Sequence, residues 1–202
     1  MDKLPDSTGV VVIGGGVAGV ATTLLLAEWG VPVLLCEKGR VAAEQSSRNW
    51  GWIRKQGRDP RELPLMIESV GLWRRWAAEA GEDFGFQQGG CLYLAETDDE
   101  MARHAGWLEK AGGFQLDTTL LDAAGVGRVL DRDDHPFRGG LYTPSDAQAE
   151  PRLAVPALAR HAETLGAVIR EGCAVRAVLR EGGRVTGVMT EQGAVKADAV
   201  IL

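Results

Sequence analysis

Residues 10–38 read VVVIGGGVAGVATTLLLAEWGVPVLLCEK, and the order of residue types along this stretch decides the fold. Residues 10–13 are a short, wholly apolar, β-branched run of the kind buried on both faces of a parallel sheet. Three glycines follow at once, and residues 20–29 then carry Val20, Leu24, Leu25 and Ala27 at helical spacing before Gly30 stops the pattern. Residues 31–36 form a second buried strand that ends on Glu37. A strand, a glycine turn, a helix and a parallel strand make one βαβ unit.

Gly14, Gly16 and Gly19 complete a GxGxxG spacing between that strand and helix, and an acid follows about 20 residues on. Gly14 permits the tight turn, Gly16 lets the backbone approach a pyrophosphate, and Gly19 lets helix pack on strand. The helix N-terminus that follows offers free N–H groups and a positive dipole end to phosphate. Glu37, with Lys38 after it, stands where a ribose diol is received. The plainer alternative is a structural βαβ unit with a solvated acid at a strand end. FAD and nicotinamide cofactors share the fingerprint, so the motif does not choose between them.

Composition narrows the rest. The 202 residues are 45% apolar and 25% charged, ordinary for a globular chain, with a formal net charge of −6 that argues against a general nucleic-acid binder. Cys36, Cys91 and Cys173 show no paired spacing and read as small apolar residues in a reducing, cytoplasmic compartment, with peripheral membrane attachment left open. The apolar run at 10–36 is broken by Gly14, Gly15, Gly16, Gly19, Glu28, Gly30 and Pro32, which excludes a membrane span. His104, His135 and His161 are scattered, and no metal-ligand spacing stands out.

Farther on, residues 63–81 predict a helix with Pro64 in its first turn, and 84–95 predict a strand, a turn at Gly89-Gly90 and a second strand. Thr97 to Glu100 is a capping box before a helix closed by Gly112-Gly113, and a glycine-interrupted helix is expected over Ala123–Leu130. Glu150-Pro151 opens a helix to 165, with Pro156 tolerable only if it starts late. Strands at 174–179, 185–190 and 194–197 form an antiparallel meander, and 198–202 reads as a separate buried strand. Nothing covers that last strand, so a chain truncated at its C-terminus is expected.

Residues 46–59, SSRNWGWIRKQGRD, have no clean period and place two indoles around a glycine among several cations. Arg48 and Arg54 are the candidate functional charges, suited to a pyrophosphate or a substrate carboxylate, or else solvated loop arginines. Ser46 and Ser47 are read either as donors to phosphate or as caps of a helical turn. Trp50 and Trp52 wall an apolar pocket or belong to the core.

With these residues in view, the sequence resembles the FAD-dependent oxidoreductases of the D-amino-acid oxidase type, which include glycine oxidase, sarcosine oxidase and D-amino-acid dehydrogenase. Three segments carry the likeness: residues 10–38, EQSSRNWGWIR at 44–54, and DAQAEPRLAVPALARHAETLGAVIREGCAV at 146–175. The resemblance implies an α/β chain with a Rossmann-like FAD-binding domain, a βαβ unit plus antiparallel meander, formed by 8–58 and 146–202. An α+β segment of the substrate domain, 59–145, is inserted between them. It implies FAD contacts from Gly14, Gly16, Val17, Ala18, Gly19, Glu37, Lys38, Ser46, Ser47, Arg48, Asn49, Gly51 and the backbone of Val175.

The implied reaction oxidises the C–N bond of an amino acid or secondary amine by hydride transfer to flavin N5, followed by hydrolysis of the imine. The substrate is a small amine or amino acid; the acceptor, oxygen or a quinone or other carrier, and homo- or hetero-oligomeric assembly are left open. The alternatives are a catalytically incomplete FAD-binding fragment or subunit requiring a missing C-terminal half, and a nicotinamide-dependent dehydrogenase. The last is disfavoured because the βαβ alternation does not continue.

Overall fold

The structure is a computed structural model that describes residues 3–202. In chain order its elements are β1 (Ser7–Ile13), α1 (Val17–Glu28), β2 (Val33–Cys36), β3 (Trp52–Ile53), α2 (Leu63–Glu79), β4 (Cys91–Ala95), α3 (Asp98–Ala111), β5 (Thr119–Asp122), α4 (Ala123–Leu130) and β6 (Gly139–Thr143). They continue with β7 (Ala147–Gln148), α5 (Pro151–Thr164), β8 (Val168–Arg170), β9 (Val175–Glu181), β10 (Arg184–Thr190) and β11 (Gly193–Ile201). Short 3-10 turns sit at Gln45–Ser47, Pro60–Glu62 and Gly112–Phe114. Two compact units result, one running to Trp50 and adding Trp76–Gly85 and Glu150–Leu202, the other Gly51–Arg75 with Phe86–Ala149.

The first unit is built on a six-stranded sheet in the order β8-β2-β1-β11-β10-β9. β1 pairs in parallel with β2 and β11, and β2 with β8. All four residues of β2 are buried, as the unbroken apolar run requires of a strand covered on both faces. Val11, Leu34, Cys36, Cys173, Val188, Val195 and Ala197 form its core. α1 packs on α5, and fully burying side chains such as Leu24 and Leu158 contributes about 1.5–3 kcal/mol each.

The meander is β9-β10-β11, antiparallel as expected, but its last strand corrects the reading of 194–197 and 198–202 as two elements. β11 is one nine-residue strand. It pairs antiparallel with β10 up to Lys196 and in parallel with β1 from Lys196 onward. The partner changes with no turn, because no residue between 194 and 201 breaks an extended backbone.

α5 corrects a second expectation: it begins at Pro151, capped by the Glu150 side chain, and runs through Pro156. Pro156 forfeits a helix hydrogen bond, and an interior proline costs ~3 kcal/mol. The buried face of Ala154, Val155, Ala157, Leu158, Ala159 and Ala162 offsets that cost. Elements also begin at slightly different residues from those expected, α1 at Val17 and β2 only after Pro32.

In the second unit β6 lies between β4 and β5, all antiparallel, and β3 pairs with β7. Residues 84–95 hold one strand rather than two. Gly85 and Gly90 take φ of +71° and +80°, which interrupts extended backbone, so only β4 forms and Gln87 makes a lone bridge to Gln148. β6, to which the sequence gives no element, opens on two glycines. A Cβ on Gly139 would lie 2.3 Å from the Leu121 carbonyl oxygen, and one on Gly140 would lie 2.7 Å from that of Tyr93, so the glycines let the flanking strands close in. α3 carries the expected capping box: Glu100 N–H donates to Thr97 Oγ1, and Thr97 N–H to Glu100 Oε2.

The units part at Trp50 and Glu150 and Trp76–Gly85 joins the first, whereas the expected division lies at 58 and 146 with all of 59–145 in the insertion. Residues 51–53 and 147–149 are held together by the β3–β7 pair and the Ala149 N–H to Gly51 carbonyl bond. Asp146 binds the backbone at 55 and 56, so both ends of this stretch belong to one body.

Candidate functional site

The glycine turn after β1 is built as a close-approach device. Gly14 has φ of +108°, a conformation side chains rarely adopt, and a Cβ on Gly19 would lie 2.0 Å from the Gly14 carbonyl oxygen. A Cβ on Gly16 would meet Ser46 Oγ at 3.2 Å. Gly15, which falls outside the fingerprint spacing, is constrained as well, since its Cβ would meet Glu37 Cβ at 3.0 Å. The middle glycine of the GGG run is the available signal for it.

α1 starts from this turn with Gly16 as a cap that has no side chain, and its first turn holds no acid. Its N–H groups therefore depend on outside acceptors. Val17 N–H donates to Ser46 Oγ at 2.9 Å, while Ala18 and Gly19 lie in the same first turn with half-buried or exposed surfaces. Ser46 thus acts as a cap reaching in from a distant loop, one of the two roles weighed for it. Ser47 donates to the Glu44 carbonyl and Asn49 Nδ2 to the Ser46 carbonyl, which close the 3-10 turn that presents Ser46.

Glu37 is buried at 8% exposure, and both its oxygens accept backbone N–H groups, Oε2 from Gly15 at 2.7 Å and Oε1 from Gly39 at 2.6 Å. Its carbonyl also accepts Cys173 N–H at 2.8 Å. Each carboxylate oxygen retains a second lone pair, so a diol remains within its capacity. Lys38 and Arg48 lie on the surface and both pair with Glu44, at 3.7 and 3.6 Å. Glu44 was not singled out in the sequence, and exposed pairs of this kind contribute ~0–1 kcal/mol. Val175 opens β9, half-buried against the sheet core, opposite Thr190.

These parts fit a dinucleotide. A cradle that a Cβ would fill, a helix start with no cap side chain of its own and no acid in its first turn, and an acid at the next strand's end are what a pyrophosphate and ribose require.

Gly51 and Arg54 lie in the second unit. Gly51 is buried with φ of +72°. The Arg54 guanidinium carbon stands 5.5 Å from the Trp52 ring centroid and 5.8 Å from that of Tyr93, and Nη1 donates to the Gln56 carbonyl. Trp50 and Trp52 are 80% and 50% exposed, so neither is a core residue. Among the described residues no His, Cys, Asp and Glu cluster is arranged to hold a metal, and no helix is long and apolar enough to cross a membrane.

The fold and the glycine turn define an α/β dinucleotide-binding protein. More particularly, the chain belongs to the FAD dependent oxidoreductase family, whose profile matches residues 9–202, and FAD is that family's cofactor.

Sarcosine oxidase subunit beta of Arthrobacter sp is 31% identical over 177 residues, 84% of this chain and 44% of that protein. Mitochondrial sarcosine dehydrogenase of Mus musculus is 27% identical over 85% of this chain and 19% of its own length. Among solved structures, L-amino acid deaminase of Proteus myxofaciens superposes with a TM-score of 0.93 at 30% identity, over 99% of this chain and 46% of that one. Glycine oxidase of Bacillus cereus gives 0.84 at 28% identity, over 96% and 54%. The chain therefore spans about half of these solved chains and less of the curated relatives.

Proposed function

We propose that the protein oxidises the C–N bond of a small amino acid or N-alkyl amino acid, with the first unit binding FAD and the second belonging to the substrate side. The start of α1 within the glycine cradle, with no cap side chain of its own and no acid in its first turn, carries this reading: its N–H groups would face the pyrophosphate, while Glu37 would receive the ribose. Ser46, Ser47, Arg48, Asn49 and Lys38 would border the phosphates, with the Val175 backbone completing the cofactor contacts of the first unit. FAD, when bound, would supply the two-electron acceptor for the hydride that leaves the amine-bearing carbon.

What the chain's residues add is binding and charge placement. Arg54 is proposed to receive the substrate carboxylate bidentately, which would orient an α-amino acid and disfavour plain amines. The names of the relatives support this class, since sarcosine, glycine and L-amino acids all carry a carboxylate beside the amine-bearing carbon.

The test uses the full-length protein purified with FAD. Anaerobic addition of sarcosine, glycine, proline and other D- and L-amino acids is followed by loss of the oxidised flavin absorbance. Bleaching by at least one of them is expected. A bound flavin that none of them reduces, or no bound flavin, would defeat the proposal.

A further inference from the structure

We propose that Tyr93, together with Trp52, is a positioning residue that holds the Arg54 guanidinium ready for a carboxylate and so sets the preference for carboxylate-bearing amines. The inference rests on the reading of Arg54 given above and deepens it.

Arg54 differs from most of the arginines that pair on the surface. Arg48, Arg61, Arg138, Arg160 and Arg176 each reach a carboxylate. Arg54 is half-buried, yet among the described residues no carboxylate lies within ion-pair distance of it; it meets one carbonyl and two ring faces. A cation withdrawn from water without a counter-ion is costly unless an anion arrives, and aromatic faces supply only part of the compensation.

The surroundings are built to hold it there. Gln56, whose carbonyl accepts from Arg54 Nη1, is fully buried and tied at every polar atom of its side chain. Thr143 Oγ1 donates to Gln56 Oε1 at 2.7 Å, and Gln56 Nε2 donates to Cys91 Sγ at 3.7 Å. Its backbone N–H donates to Asp146 Oδ2 at 3.1 Å.

Cys91 and Tyr93 are two residues apart on β4, so they share the face turned to this segment. Gly57, at φ +71°, completes the clamp: a Cβ there would lie 2.9 Å from Tyr93 Cε2 and 3.3 Å from Arg54 Nη1. Any larger residue would push ring and guanidinium apart. Rings engage a guanidinium through its flat face, whereas a carboxylate binds its in-plane N–H edge, so the two uses do not compete.

The experiment follows the arginine Nε–Hε resonances of the 15N-labelled chain, with the Arg54 signal assigned by R54K. It is titrated with sodium acetate against sodium chloride at equal ionic strength. The Arg54 signal is expected to carry a ring-current shift and to move with acetate but not with chloride.

Y93L should abolish the ring shift contributed by Tyr93 and weaken acetate binding about five-fold or more, while Y93F, which keeps the ring, should stay within about two-fold. W52L, at a half-exposed position that does not disturb the core, should weaken binding in the same direction. An Arg54 signal indifferent to acetate in the unsubstituted chain would remove the carboxylate reading, and this proposal with it. A signal that responds equally in the unsubstituted, Y93L and W52L proteins would leave that reading standing and overturn the positioning role.

Discussion

One oxygen of the Glu37 carboxylate accepts the N–H of Gly15 at 2.7 Å, so the residue that closes β2 also fixes the turn that opens α1. The other oxygen holds Gly39 at 2.6 Å. The acid that the sequence reads either as a ribose ligand or as a solvated strand-end residue is a structural tie between two strand ends of one sheet. Glu37→Gln leaves at least one of these amides facing an NH2 group. Losing a buried charge-assisted bond costs about 1.5–3 kcal/mol, so the variant should unfold at lower urea even without FAD. FAD titration should show weaker binding in parallel. Unchanged urea stability with lost FAD binding would mean that Glu37 serves the cofactor alone.

Gly19, in the first turn of α1, and Gly30, just past its end, should respond differently to alanine. At Gly19 the new methyl would sit 2.0 Å from the Gly14 carbonyl oxygen, and backbone must move to relieve it. At Gly30, φ is +70° but nothing lies within 4 Å. Gly30→Ala should cost about 1 kcal/mol. Gly19→Ala should reach several times that, or prevent soluble expression. Equal urea midpoints for the two variants would contradict the close approach of helix and strand.

Legibility in the sequence followed the range of the forces. The βαβ unit was readable because β1, α1 and β2 are set by local apolar runs and glycines between Val10 and Glu37. The α3 capping box was readable for the same reason. β6 was hidden: Gly139 and Gly140 mark no element until the Leu121 and Tyr93 carbonyls pack against them from other strands. β11 was divided in two because its change of partner at Lys196 leaves no local mark. In the candidate site, the spacing singles out Gly14, Gly16, Gly19 and Glu37. It does not single out Glu44, Gly15 and Tyr93, since each acts through a partner remote in sequence or through a side chain whose type carries no motif.

Asp146 and Lys55 form a buried pair whose members should not be equivalent. Asp146 is fully buried; its carboxylate accepts the N–H groups of Lys55 and Gln56 at 2.9 and 3.1 Å and lies 3.5 Å from Lys55 Nζ. Lys55 Nζ also donates to Ser145 Oγ at 2.5 Å. Asp146→Ala strands two backbone donors and a buried cation, and breaking such a pair costs about 3–5 kcal/mol. Lys55→Met leaves the carboxylate with both of its amides and should cost less. Urea unfolding of the two single variants and the double variant measures the difference. A larger loss for Lys55→Met would show that the ammonium, rather than the backbone ties of Asp146, holds this segment.

Cys36 should make the protein sensitive to alkali. Burial, and then the Cys173 thiol beside it, push its proton affinity up from an ordinary 9.0 to about 12, with Arg170 pulling slightly the other way. The folded chain thus keeps a proton that the unfolded chain releases above about pH 9. Unfolding then liberates a proton, and stability falls as pH rises between those two values, while below about pH 9 this contribution is fully present. One such group gives a slope of at most about 1.4 kcal/mol per pH unit. Cys91, raised to about 11 chiefly by burial, adds to it with the same sign. Urea midpoints between about pH 8 and 10.5 should decline more steeply for the unsubstituted chain than for Cys36→Ala, whatever constant penalty the lost side chain imposes. Parallel slopes would show that the thiol titrates freely in the folded chain, and that the β2 end is more open to water than its 1% exposure indicates.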